Sequence, residues 1–261
     1  MRIVFEKRKN ISRKAIFLVP FVSFLISLLL TAILLLIFKA NPLLTYAAMF
    51  QGAFGSWPNF TETLVKATPL MLTGLGVLIA FRLKFWNIGA EGQLTFGGIG
   101  AAWVALFWSP HLPTWTVLPL AILAGMAAGA LWAGIPALLK VRLKVDEVLT
   151  TLMLNYVAIL FAEHLYYGPW RDPKGFGFPG TPIFPDFAWL PRIAGRAHMG
   201  LIFALVLAVL VWFILKRTRW GFELEVIGNN PSAAQTGNQD CQKYHDRSSI
   251  WRRIERSGRC L

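Results

Sequence analysis

The run Asn87-Ile88-Gly89-Ala90-Glu91-Gly92-Gln93 decides how this chain is read. It is polar and glycine-rich, it lies between two apolar spans, and it leads into Leu94-Thr95-Phe96-Gly97-Gly98-Ile99-Gly100, where bulk gives way to small residues. Lipid offers the backbone no hydrogen-bond partners. A break of this kind is therefore tolerated only where protein buries it or where it lines a polar cavity. The stretch points to a bundle of membrane helices around a path for something polar.

Composition agrees. Of 261 residues, 56% are hydrophobic, and the mean hydropathy is +0.53. One water-soluble core does not need so many apolar side chains, and here they come in blocks. The formal net charge of +13 would suggest nucleic acid as a partner in a soluble protein. Most of that excess instead flanks apolar runs, as the positive-inside rule requires, so no nucleic-acid partner is expected.

A helix needs about 20 apolar residues to cross the hydrocarbon core. Six spans are predicted: 16–38, 64–81, 94–108, 116–139, 148–162 and 199–215. In the second, Pro69, Gly74 and Gly76 break the periodicity and Lys66 lies near one end. The third is short, so it is either partly re-entrant or lengthened by the 87–93 stretch. The first follows a basic segment as a signal peptide does, but it is too long for one and has no small-residue cleavage site; it reads as a retained helix. Arg2, Lys7, Arg8, Lys9, Arg13 and Lys14 precede span one, Arg82 and Lys84 follow span two, Lys140, Arg142 and Lys144 follow span four, and Lys216, Arg217 and Arg219 follow span six. These short segments belong on one side, and the rule makes it cytoplasmic, with both termini there.

Between spans five and six lies a loop rich in Pro, Gly and aromatics, from Tyr166 to Pro191. Its prolines predict a stiff segment without helix or sheet. It serves either as a plain extracytoplasmic cap or as a dock for a solute-delivering partner. In the fourth span, Ala121, Gly125, Gly129 and Ala133 recur every four residues. Gly125 and Gly129 thus mark a face for close helix packing rather than a pore wall. Gly97 and Gly98 admit both readings, packing and cavity wall.

Glu91 in hydrocarbon would cost several kcal/mol unless paired or wetted. It therefore belongs at the cytoplasmic boundary beyond Arg82 and Lys84, while Asn87–Gln93 as a whole reads as a non-helical turn aiming backbone groups at the pathway. Asn155, mid-helix, should bond a neighbouring helix, with pathway lining as its second reading. Glu163 and His164 read as interfacial. Candidate pathway residues are Asn87, Gly89, Glu91, Gln93, Gly97, Gly98 and Asn155. After the last span, Asn230-Pro231 reads as an N-cap and first helical position, with Ser232-Ala233-Ala234 opening a short amphipathic helix. Such a helix is a handle for a soluble motor.

Taken together, these stretches carry a resemblance. Phe85 to Gln93 is similar to the FNIGAEGQ hallmark of bacterial ABC importer permeases for simple sugars, nucleosides and branched-chain amino acids, with Trp86 as a variation. Val145 to Tyr156 resembles the NEVIxTxMLNY segment of that family, with Asp146 in place of Asn. Gly221 to Ala234 resembles a GxxLRAVGxNPxAA loop, with Glu225 where Arg is usual. Leu43 to Tyr46 and Met49 to Ser56 resemble the longer of two paired permeases in nucleoside-type systems.

The resemblance implies an all-α polytopic membrane fold of about six spans with a cytoplasmic coupling helix, in a bacterial cytoplasmic membrane. It implies a permease subunit for a nucleoside or simple sugar; a branched-chain amino acid permease and a non-transporting scaffold or inactive fragment are the alternatives. A cytoplasmic ABC ATPase, a second permease and an extracytoplasmic solute-binding protein or lipoprotein would be its partners, within membrane lipid. ATPase coupling would fall to Gly221, Gly228, Asn229, Asn230, Pro231, Ala233 and Ala234.

No GxxxxGK[ST] loop occurs, so ATP is expected on a partner chain and no cofactor or metal on this one. No HExxH or GxSxG motif occurs either, and the four histidines are scattered, which argues against an enzyme. The expected organisation is a basic N-terminus (1–15), a permease domain (16–234, with the coupling loop at 216–234) and an atypical basic tail (235–261) that holds both cysteines, Cys241 and Cys260. Against the family pattern the bundle reads as incomplete, either broken by a frameshift or premature stop just after Ala234 or a natural short variant with a disordered basic tail.

Overall fold

A computed structural model of the chain describes residues 13–229. The basic N-terminus up to Ser12, the tail from 235, and the coupling candidates Asn230, Pro231, Ala233 and Ala234 lie outside the described residues. Two compact units divide between Thr63 and Leu64.

The first unit holds α1 (Arg13–Ile37), α2 (Pro42–Phe54) and the start of α3 (Trp57–Arg82). Helix α1 exposes nearly every apolar side chain, Phe17 and Leu36 among them, which suits a helix solvated by lipid. The hydroxyls of Ser27 and Thr31 donate to carbonyls one turn back, at 3.0 and 2.9 Å, which satisfies both within the helix. Lys39 closes α1 in the left-handed region (φ 57), with Ala40 N–H bonding Leu35 O and Lys39 N–H bonding Leu36 O. That pair of bonds is a Schellman cap. Asn41 then caps α2, accepting from Leu43 and Leu44 N–H, with Pro42 in the first helical turn. Tyr46 ties α2 to α1 by donating to Leu28 O at 2.7 Å.

The second unit carries the rest of α3, then α4 (Ala90–Trp103), α5 (Thr114–Leu143), α6 (Glu147–Tyr167), α7 (Gly200–Arg217) and α8 (Arg219–Asn229). Five described helices are long and apolar enough to cross a membrane: Phe17–Ile37, Trp57–Arg82, Thr114–Leu143, Glu147–Tyr167 and Gly200–Arg217. The expected third span takes another form. Its 14-residue α4 begins inside the 87–93 stretch and runs on as a five-residue π-helical segment, Val104–Trp108. Helix α3 starts seven positions before the expected limit and passes through Pro69 unbroken. On either side of the proline, threonine hydroxyls turn back on the helix: Thr68 donates to Leu64 O and Thr73 to Pro69 O.

The loop between α6 and α7 departs from the expectation of no regular structure. A 3-10 turn, Asp186–Ala188, and a small antiparallel ribbon, β1 (Arg192–Ala194) with β2 (Ala197–His198), are built into it. Gly195 makes the ribbon possible: φ is +56 at the first position of its two-residue turn, a conformation glycine adopts without penalty. Helix α8 likewise occupies a segment expected to be loop. The architecture is an all-α polytopic membrane bundle.

Candidate functional site

The site is assembled where α6 meets the turn ahead of α4. Asp146 caps α6, its carboxylate accepting from Val148 N–H at 2.9 Å and Leu149 N–H at 3.1 Å. Asparagine would accept the same bonds, which explains why either residue fits that place. Glu147, buried at the first turn of α6, pairs with Lys140 near the end of α5. The pair fixes the entry angle of α6 against α5, with each charge at the helix end that favours it.

From α6, Thr151 and Asn155 point one turn apart at the same target. Ile88 N–H donates to Thr151 Oγ1 at 3.2 Å. Asn155 Nδ2 donates to Ile88 O, and Gly92 N–H donates to Asn155 Oδ1, both at 2.8 Å. Gly92 is in the first turn of α4, where N–H groups have no intrahelical acceptor. The residue at the N-cap, Gly89, has no side chain to supply one. Asn155 thus caps α4 from a different helix. The approach needs glycine: a Cβ on Gly92 would lie 2.8 Å from Asn155 Oδ1, and one on Gly89 3.0 Å from Thr151 Cβ.

Inside the turn, Asn87 and Gln93 exchange amide hydrogen bonds at 3.2 and 3.1 Å, and Asn87 Oδ1 also accepts from Gly89 N–H at 3.0 Å. The non-helical part is 85–89; Ala90 to Gln93 form the first turn of α4. Of the candidate pathway residues, Asn87, Gly89, Gln93 and Asn155 come together. Glu91 is exposed, its charge at the positive end of α4. Gly98 is exposed with open space around it.

Gly97 belongs to the α4–α5 contact. A Cβ there would lie 3.1 Å from Gly125 O, and one on Gly125 3.0 Å from Gly97 O. Gly129 faces Gln93 O at 3.1 Å in the same sense, and Gly100 faces Ala128 Cβ at 2.7 Å and Ala124 O at 2.8 Å. The two backbones touch along this line, the contact by which helices associate in lipid. Beside it Phe96 of α4 stacks on Trp132 of α5 (centroids 4.0 Å) and on Phe161 of α6 (5.8 Å). The Trp132 indole N–H is buried without a hydrogen-bond partner among the described residues.

Coupling candidates Gly221, Gly228 and Asn229 all lie on α8. Its buried stripe is Gly221 and Leu224, with Gly228 half-buried beyond them. Gly221 rests on α7, where a Cβ would be 2.5 Å from both Ile214 O and Leu215 O. Arg82, at the end of α3, reaches Glu225 at 3.3 Å. Thr151, Gly92, Trp132 and the Lys140–Glu147 pair were not singled out from sequence. For Thr151 a signal existed: four residues before Asn155, it shares a helix face with it.

The family described as branched-chain amino acid transport system / permease component matches residues 59–245. A glucose ABC transporter permease from Haloferax volcanii is 36% identical over 83% of this chain and 59% of its own length. A guanosine ABC transporter permease from Bacillus subtilis is 34% identical over 89% and 67%. A nucleoside ABC transporter permease from Lactococcus lactis is 32% identical over 87% and 64%. The chain spans about three-fifths to two-thirds of the length of these relatives. No solved structure matches it. With well over half its residues inside the family match, and the hallmark turn held by α6, this chain belongs to the permease component family of branched-chain amino acid-type ABC transport systems.

Proposed function

We propose that the chain is the membrane permease subunit of an ABC importer for a small polar solute, a nucleoside or a simple sugar, driven by ATP hydrolysis on a separate chain. The observation that carries this reading is the Asn87–Gln93 turn: a polar, non-helical segment held among membrane helices by Thr151 and Asn155. Rigid irregular backbone of this kind, at the mouth of a helix, is what solute sites in transporters are built from. Asn87, Gly89, Gln93 and Asn155 form the pathway wall in this reading, with Glu91 at its wetted edge. Relatives named for glucose, guanosine and nucleosides support the cargo class.

Lysine and arginine distribution supports a cytoplasmic position for α8, the 87–93 turn and both termini, in the cytoplasmic membrane of a bacterium. The ATPase docks on α8, and a second permease completes the pathway. On the opposite face a solute-binding protein or lipoprotein meets the α6–α7 loop. Phe176 supports that last assignment: it is 99% exposed and held at φ 46, a conformation a phenylalanine seldom adopts.

The test is reconstitution with a partner ATPase, second permease and binding protein in proteoliposomes. ATP-dependent uptake of labelled guanosine or glucose is expected, with hydrolysis stimulated by the loaded binding protein. An assembled complex that takes up neither solute overturns the cargo assignment. A chain that never co-purifies with an ATPase overturns the importer reading itself. The family description favours a second cargo class, so labelled leucine belongs in the same assay.

A further inference from the structure

Helix α8 touches more than the helix that precedes it. Its Gly221 lies on the last carbonyls of α7, and two turns later Gly228 lies on the last carbonyl of α3: a Cβ on Gly228 would overlap Arg82 O and come within 3.2 Å of the Leu83 carbonyl carbon. Positions 221, 224 and 228 fall on one stripe of the helix, and Leu224 is buried between the two glycines. Helix α8 is therefore a bar laid across the C-terminal ends of α7 and α3, with backbone-to-backbone contact at each end.

What lies beyond the Arg82 contact is stiff. Lys84 closes α3 at φ 53, with Phe85 N–H on Ala80 O and Lys84 N–H on Phe81 O, a complete Schellman cap. Trp86 folds back on Phe81, ring centroids 5.2 Å apart. The next residue, Asn87, already belongs to the hydrogen-bonded turn. Only four residues, none of them glycine or proline, separate the α8 contact from that turn.

We propose that α8 works as a lever whose stroke reaches the Asn87–Gln93 turn through the end of α3, with Arg82 and Gly228 as positioning residues. The proposal rests on the ATP-driven importer reading and names the route by which the motor moves the pathway. Magnitudes divide the work between the two contacts. An ion pair as exposed as Arg82–Glu225, with side chains 38% and 55% accessible, is screened by solvent and weak. That is too little to carry a load, but it is enough to hold register. The glycine contact carries the push, because close-packed backbone transmits displacement without slack.

The experiment uses the reconstituted complex with three readouts: co-purification of the ATPase, solute uptake per ATP hydrolysed, and labelling of an Ile88→Cys probe with and without ATP. Gly228→Ala should lower uptake per ATP roughly tenfold and erase the ATP-dependent change in labelling. Gly134→Ala, where nothing lies within 4 Å, should alter neither. Arg82→Glu and Glu225→Arg should each cost about two- to fivefold in uptake per ATP, and the double swap should recover it. Recovery by the swap separates a positioning role from a folding defect. Wild-type coupling and labelling in Gly228→Ala, or no recovery in the swapped pair, overturns the lever. If the wild-type chain neither co-purifies with an ATPase nor transports, the importer reading falls first and the lever with it.

Discussion

Helices α1 and α5 are both apolar enough to cross a membrane, yet they behave differently. The more hydrophobic, α1, shows most of its side chains outward, and its described bond to α2 is the hydroxyl of Tyr46. The less hydrophobic, α5, lies against α4 along a line of glycine and alanine. Hydrophobicity in lipid specifies that a segment spans; it gives no reason for two spans to prefer each other over acyl chains. Small residues and paired amides supply that reason. The α4–α5–α6 group has both; α1 has no glycine and no amide side chain, and the hydroxyls of its Ser27 and Thr31 turn back on their own helix.

The comparison breaks first at its tightest point. Replacing Gly100 with Leu places bulk where even a Cβ would be 2.7 Å from Ala128 Cβ. Overpacking a closed contact costs about 1–3 kcal/mol, more where backbone must part. Thermal unfolding in detergent should register the largest loss of any single change here. Gly98→Ala is the control: with nothing within 4 Å and a gain of about 0.5–1 kcal/mol in helix preference, it should hold or raise the midpoint. Equal losses for both would mean that the seam is not what joins α4 to α5.

Next comes the amide clamp. Asn155→Ala strips Gly92 N–H of its acceptor and Ile88 O of its donor together. Each buried group left bare costs about 1–3 kcal/mol. Asn155→Asp keeps the acceptor for Gly92 but sets a carboxylate oxygen against the Ile88 carbonyl, so it should fall between wild type and alanine when neutral and be the worst of the three when ionised. Hydrogen exchange at Gly92 is the direct measurement: faster in Asn155→Ala, with exchange in α1 unchanged. If Gly92 stays protected in the alanine variant, α4 is capped by something other than Asn155.

Those elements also mark what was legible in the sequence. Five of the long apolar runs coincide with helices long and apolar enough to cross a membrane, with ends that differ by up to seven residues, because length and hydropathy depend on no neighbour. The four-residue spacing of Gly125 and Gly129 likewise gave the face that the structure lays against α4. Asn155 could be read as a bond to another helix, since an amide in lipid must find a partner, but not which helix or which atoms. Other features stayed hidden for a common reason. Helix α8 includes Gly221 and Gly228, whose intrinsic preference opposes a helix; contact with α7 and α3 overrides it. The π-helical end of α4 and the three-residue β1 are too short to set up a period. At the site, Glu91 drew attention as the charged residue, although the hydrogen bonds that shape the turn come from neutral Thr151 and Asn155.

The smallest expected effect belongs to Trp132, the one place in the α4–α5–α6 group where the pairing of polar groups lapses among the described residues. Its ring earns its position by stacking on Phe96 at 4.0 Å and 11°, worth about 0.5–1.5 kcal/mol beyond area. Its buried N–H works against this, since an unmet donor costs about 1–3 kcal/mol. Phenylalanine keeps a ring for Phe96 and removes the donor, at the cost of some buried area, of which about 25 cal/mol is lost per Å². The opposing contributions should nearly cancel, leaving Trp132→Phe within about 1 kcal/mol of wild type by thermal unfolding. Leucine at the same place keeps apolar bulk but no stack, and should fall below phenylalanine. A loss of more than about 2 kcal/mol on Trp132→Phe would instead mean that the indole N–H is bonded in the assembled protein. The α4–α5–α6 group would then be held by polar pairing at every buried position, and its contrast with α1 would be sharper still.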